Sequence, residues 1–156
     1  MKYFTRDKWE RGGPVWNAAL AKYSEYYKTL SKKLSHALSE FEELEGRHTF
    51  HDEILIRHHR LSKDRFTLEL QSWWIDFFEV EQYSFEDELN DHTNVWLIHE
   101  IDVAGPSRFR MMVLFEAGEL DITAGLIQVY SRRLRKIVVP SSSHPEDRQT
   151  KLKRNR

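Results

Sequence analysis

The sequence predicts an α+β fold: an N-terminal long helix or helical hairpin packed on a C-terminal antiparallel β-sheet of about five to six strands. Two observations carry this. Residues 15–45 repeat apolar side chains at alternating four- and three-residue steps, and residues 50–130 fall into short β-rich runs parted by tight turns. A third is length. The 156 residues fit one α+β domain, read as 1–137, with 138–156 a disordered basic tail.

The helical stripe comprises Trp16, Leu20, Tyr23, Tyr27, Leu30, Leu34, Ala37, Phe41 and Leu44. The spacing makes one face of a helix apolar for about four heptads. Gly12-Gly13-Pro14 breaks the chain before it, Pro14 suits a first helical turn, and Gly46 suits its end. Straight, such a helix would span about 45 Å. Two outcomes follow: a break near Thr29–Ser31 into a hairpin, or one long helix offering its stripe to a partner. Aromatic stripe positions suit irregular core packing better than a parallel coiled coil, so the stripe is read as core.

The strands follow in order. Glu53–Arg60 and Arg65–Leu70 flank Ser62-Lys63-Asp64 and read as a hairpin, with Phe66, Leu68 and Leu70 alternating against polar neighbours. Trp73–Val80 reads as a third strand and Tyr83–Asn94 as an acidic loop. Asn94–Asp102, Arg108–Phe115 and Glu119–Thr123 complete the set, and Leu126–Tyr130 either extends it or begins a last short element. Short connections without helices between them predict antiparallel pairing. Trp73, Trp74, Phe77 and Phe78 are read as core in preference to an exposed ligand patch.

Cysteine is absent, which excludes disulfides, thiolate metal sites and a cysteine nucleophile. No run approaches the roughly 18 apolar residues of a membrane span. The first eight residues carry no apolar run after their charges and are not read as a signal peptide. The expected setting is the cytoplasm, the expected state a monomer or homodimer without membrane association.

Net charge is −1, but it is unevenly spread. Residues 131–156 hold nine Lys/Arg against two Asp/Glu, giving +7, and the other 130 hold 15 against 23, giving −8. An acidic body carries a basic tail. The tail residues Arg148, Lys151, Lys153, Arg154 and Arg156 are candidates for nucleic-acid contact, although no aromatic follows Tyr130 to stack on bases. The acidic residues Glu79, Glu81, Glu86, Asp87, Glu88 and Asp91 are candidates for meeting a protein partner.

Histidine and carboxylate supply the remaining candidates. His48, His51, Asp52 and His99 have the chemistry of a zinc or non-haem metal site, though their spacing matches no strong template. Asp52 is read first as a junction residue whose carboxylate fixes the turn. His58 and His59 point to opposite faces of a strand. Glu100 with Asp102, and Glu119 with Asp121, share faces as a hydrolase pair would, but a solvated sheet face is the more ordinary reading. Glycine-rich phosphate loops, GxSxG and kinase motifs are absent. No cofactor is indicated.

Three stretches resemble a known family: the opening Met1-Lys2-Tyr3-Phe4-Thr5; the junction Phe50-His51-Asp52-Glu53-Ile54; and the pair Val95–Ile101 and Met111–Leu120. They are similar to a family of small cytosolic proteins of Gram-positive bacteria, a domain of unknown function. The resemblance spans residues 1–130 and implies an N-terminal helical region with a C-terminal sheet. The family has no assigned activity, so no catalytic residue carries over. Phe50-His51-Asp52 before a strand also resembles small bacterial immunity proteins. The basic tail after Arg132 departs from the pattern. The leading expectation is a non-enzymatic protein that recognises a partner protein and neutralises a toxin. The alternatives are a metal-binding protein or hydrolase built on the His/Asp cluster, and nucleic-acid binding through the tail.

Overall fold

A computed structural model describes residues 1–47, 49–87 and 94–132, with Ser31, Ser35, His36, Glu86 and Asp87 described in backbone only. Helix α1 (Arg6–Arg11) occupies what reads in sequence as a lead-in. The Thr5 hydroxyl accepts from the Lys8 N–H at 3.4 Å and so caps it. Helix α2 (Gly13–Glu45) follows, with Pro14 in its first turn. It ends at Gly46, which keeps right-handed backbone angles while its N–H bonds to the Glu42 carbonyl.

Helix α2 is continuous but not straight. The Tyr27 hydroxyl donates to the Glu42 carboxylate, 15 residues on, at 2.9 Å. Fifteen residues of straight helix cover about 22 Å, more than these two side chains reach together. The helix therefore bends between them. The Thr29 hydroxyl donates back to the Tyr26 carbonyl at 2.7 Å, a kind of contact that often bends helices. The structure thus takes something from each expected outcome: one helix, folded so that both arms serve the core.

Eight strands follow, not five to six: β1 (Ile54–Ser62), β2 (Arg65–Leu70), β3 (Trp73–Phe78), β4 (Gln82–Asp87), β5 (Asn94–Gly105), β6 (Arg108–Phe115), β7 (Gly118–Ala124) and β8 (Leu126–Ser131). All pairings are antiparallel, in the order β4-β7-β6-β5-β1-β2-β3-β8. The difference has two sources. Residues 82–87 read as loop because they are acidic, but Tyr83 and Phe85 alternate and lie opposite Ile122 and Leu120. Bends at Glu79 and Gly125 also divide two long runs into β3 with β4 and β7 with β8. Across the bends the ladder persists: Gly125 N–H bonds to the Phe78 carbonyl, and Glu81 N–H to the Thr123 carbonyl. Because β3 pairs with β8 and β4 with β7, the two ends of the strand order meet and the sheet closes on itself.

The closure has a weak seam. β1 and β5 pair only at Ile54↔Val95 and Leu55↔Asn94. Beyond it, α2 covers the edge of β5, and the Tyr23 hydroxyl accepts the Ile101 N–H at 2.6 Å. Leu30, Leu34, Leu38 and Phe41 of α2 share one buried cluster with Phe66, Leu68, Ile75 and Phe77 from one side of the sheet and Trp96, Met111, Val113 and Phe115 from the other. Full burial of each such side chain contributes about 1.5–3 kcal/mol. No described helix is long and apolar enough to cross a membrane.

The outer face of β5 is covered rather than solvated. Glu100 is 2% exposed because the N-terminal segment lies over it. Its carboxylate accepts the backbone N–H groups of Lys2 at 2.8 Å, Tyr3 at 2.6 Å and Phe4. The rings of Tyr3 and Phe4 then meet Tyr23 of α2.

Candidate functional site

A cavity of about 340 Å³ lies where the N-terminal segment, both arms of α2, the junction 46–53 and β5 converge. Its wall is largely rings: Phe4, Tyr23, Tyr27, Phe41 and Trp96. Each is delivered by a stated local cause. Tyr23, Tyr27 and Phe41 are stripe positions of α2, brought together by its bend. Trp96 is turned inward by a β-bulge. The register slips by one between Trp96 and Ile98, so Trp96 shares a face with His99, although simple alternation sets them apart. The Trp96 and His99 rings sit 5.6 Å apart, edge to face.

Two titratable groups face each other in this apolar setting. Glu45 Oε2 is 3.6 Å from His99 Nε2, too far for a hydrogen bond. Glu45 Oε2 has no hydrogen-bond partner among the described residues, although it is itself buried. Burial pushes the Glu45 carboxyl up to about 7 and the His99 imidazole down to about 4. Both shifts favour the neutral forms. Burial likewise raises the Tyr23 and Tyr27 hydroxyls well above the usual tyrosine value, the latter helped by its bond to Glu42. His51 lines the same cavity, and its Nδ1 lies 3.0 Å from the Asp52 carboxylate.

The other buried acids differ from Glu45. Glu69 meets Arg57 and Arg132, the latter at 2.7 Å, and Asp76 meets Arg65 and the Thr67 hydroxyl. Glu100 has its three amides. Each is answered by donors, as buried charges in folded proteins generally are.

The structure brings His51 and His99 to one cavity. Asp52 is exposed, adopts a left-handed backbone (φ 71°) and gives its N–H to the Trp96 carbonyl, so its place is the turn. His48 lies outside the described residues. Among those described, no group of three or more histidines and carboxylates is arranged to hold a metal ion. Glu79 and Glu81 are exposed, and both lie 3.9 Å from Arg108, which offsets part of their charge. Glu86 and Asp87 stand on β4, and Glu88 and Asp91 are outside the described residues. So are Arg148, Lys151, Lys153, Arg154 and Arg156. The carboxylates of β5 and β7 act separately: Asp102 accepts the Tyr26 hydroxyl, and Asp121 forms a two-pronged pair with Arg110. His58 and His59 do take opposite faces, against Leu68 and Thr67.

Sequence reasoning missed Glu45, the most distinctive group of the site. The signal was present. Glu45 follows Phe41 by four residues and so falls on the apolar stripe, where a carboxylate has no ordinary place. The hydroxyls of Tyr23 and Tyr27 on the same stripe were a second sign.

No protein-family model matches the chain, and neither a curated protein nor a solved structure does.

Proposed function

We propose that this chain is a non-enzymatic binding protein whose ligand is a small molecule held in the cavity between α2 and β5. The observation that carries the reading is the burial of Glu45 Oε2, without a hydrogen-bond partner among the described residues, in an aromatic cavity of about 340 Å³. That volume sits at the lower end of the roughly 300–1,000 Å³ of ligand pockets. A largely apolar wall with few convergent polar groups is the usual composition of such a site, and titratable groups displaced by burial gather at such sites.

The test is a small-fragment screen read by NMR on the full chain. Fragments that bind should shift the Trp96 indole N–H together with the His99 and Leu97 signals. A screen whose binders all leave those signals unmoved, or that yields none, removes the reading. Proton transfer to a bound ligand is a second reading, because a carboxyl titrating near neutrality suits a general acid or base. Chemical change in a bound fragment, lost on Glu45→Gln, would favour it.

The protein-partner role, toxin neutralisation and a cytosolic setting included, stands as a separate proposal. It rests on the exposed Glu79 and Glu81 and on the resemblance at Phe50-His51-Asp52. Association with a basic nuclease that weakens on Glu79→Lys/Glu81→Lys and at high salt would support it. An association indifferent to both changes would count against it.

A further inference from the structure

We propose that the cavity selects an organic cation, an ammonium group on a compact apolar or aromatic body, with Glu45 as its counter-ion. This rests on the small-molecule reading above and adds the charge of the ligand. The argument is one of elimination among the polar groups that line the cavity. The Tyr27 hydroxyl is given to Glu42 at 2.9 Å, and the Tyr23 hydroxyl takes the Ile101 N–H at 2.6 Å. The His51 Nδ1 faces Asp52 at 3.0 Å. Two groups are left: Glu45 with a buried oxygen and no donor, and the Trp96 indole N–H, a donor with no acceptor, both among the described residues.

No described residue is placed to serve as the cation for Glu45. No lysine or arginine lines the cavity among the described residues. His99, 3.6 Å away, is held neutral by burial and stands beyond hydrogen-bond distance. The described groups bearing on Glu45 are therefore Tyr23, Tyr27 and Glu42 of α2, His51 of the junction, whose Nδ1 is turned to Asp52, and His99 of β5. Around the carboxylate stand Tyr23, Tyr27, Phe41 and Trp96, whose ring faces attract a cation electrostatically. Aromatic faces around one carboxylate match an ammonium better than they match an anion or a sugar. An anion would meet Glu45 as a like charge, and a sugar would need more hydrogen-bonding partners than remain.

Two predictions separate this inference from the reading beneath it. The probes are 2-phenylethylamine and its neutral counterpart 2-phenylethanol, titrated calorimetrically into the full chain at pH 6 and pH 8. The amine should bind at least tenfold tighter than the alcohol. Its affinity should rise severalfold from pH 6 to pH 8, with release of a proton from Glu45 that shows as a dependence on the buffer's ionisation heat. The alcohol should show neither effect. Glu45→Gln should remove the advantage of the amine and leave the alcohol unchanged, and the pH series on the unaltered chain gives the same answer if that variant does not fold. Equal binding of both probes overturns the cation proposal and leaves the cavity reading standing. Binding of neither overturns both.

Discussion

Two glutamates with buried carboxylate oxygens at the same end of the molecule are treated in opposite ways. Glu100, on the outer face of β5, receives three backbone N–H groups from Lys2, Tyr3 and Phe4. Glu45, across the strand and at the end of α2, receives none on its buried oxygen. The first arrangement is what a structural carboxylate needs: the chain itself supplies the solvation that water gave. The second leaves a polar group unanswered among the described residues, which in a folded protein calls for an explanation beyond the fold. The difference separates a residue that holds the fold from one available for work.

The sharpest way to break the comparison is to remove the better-served partner. Glu100→Leu leaves three amides without an acceptor in a covered site. At about 1–3 kcal/mol for each buried unsatisfied donor, lessened where the segment reaches water, the loss should be about 3 kcal/mol or more. Glu100→Gln keeps one acceptor oxygen and should lose less. Urea denaturation of both variants checks this. A loss under about 1 kcal/mol for the leucine variant would mean that the N-terminal segment is not fastened through Glu100 at all.

Tyr23→Phe comes next, because this residue belongs to both regions. Its ring walls the cavity, and its hydroxyl closes the open edge of β5. Losing the hydroxyl strands the Ile101 N–H and should destabilise the fold by about 1–2 kcal/mol. Hydrogen exchange should report it as faster exchange at Ile101, ahead of any change at Met111 on the paired strand. Uniform acceleration along β5 and β6 would show instead that the edge opens only with the whole barrel.

How much of this was legible in the sequence follows from what each signal measures. The α2 stripe and the alternation of Phe66, Leu68 and Leu70 depend on local periodicity, and the structure has both. β4 escaped because its acidic residues obscured the alternation of Tyr83 and Phe85. The division of long strands at Glu79 and Gly125 depends on closure of the sheet, a long-range event without a local period. The face of Trp96 is hidden for a similar reason: a strict two-residue period sets it apart from His99, and the bulge at Leu97 is invisible to that period. His51 and His99 were singled out for their chemistry and do share a cavity. Their neighbour Glu45 was passed over because a glutamate near a helix end looks solvated unless its stripe position is counted.

The smallest expected effect probes Glu45 directly, through pH. Its carboxyl is raised in the folded chain to about 7, so between the ordinary glutamate value and 7 the folded state binds more protons than the unfolded one. Stability from this group is therefore present at low pH and lost as pH rises through that window. His99, lowered to about 4, works the other way, contributing stability that grows as pH rises from about 4 toward the ordinary histidine value. The two oppose each other across much of the acid range, so the unaltered chain should show a flattened profile that conceals both. Glu45→Gln removes one of them. Relative to the unaltered chain, the variant should gain stability as pH climbs from about 4.5 to 7 and hold that gain above it. After allowance for a side chain one-third exposed, the change should be on the order of 1 kcal/mol. Paired urea titrations at pH 5 and pH 8 measure it. The opposite sign, with the variant losing ground as pH rises, would show that the Glu45 carboxyl is held below, not above, the ordinary glutamate value and is stabilised as the anion. It would then be as well answered as Glu100, and the contrast between the two acids would be gone.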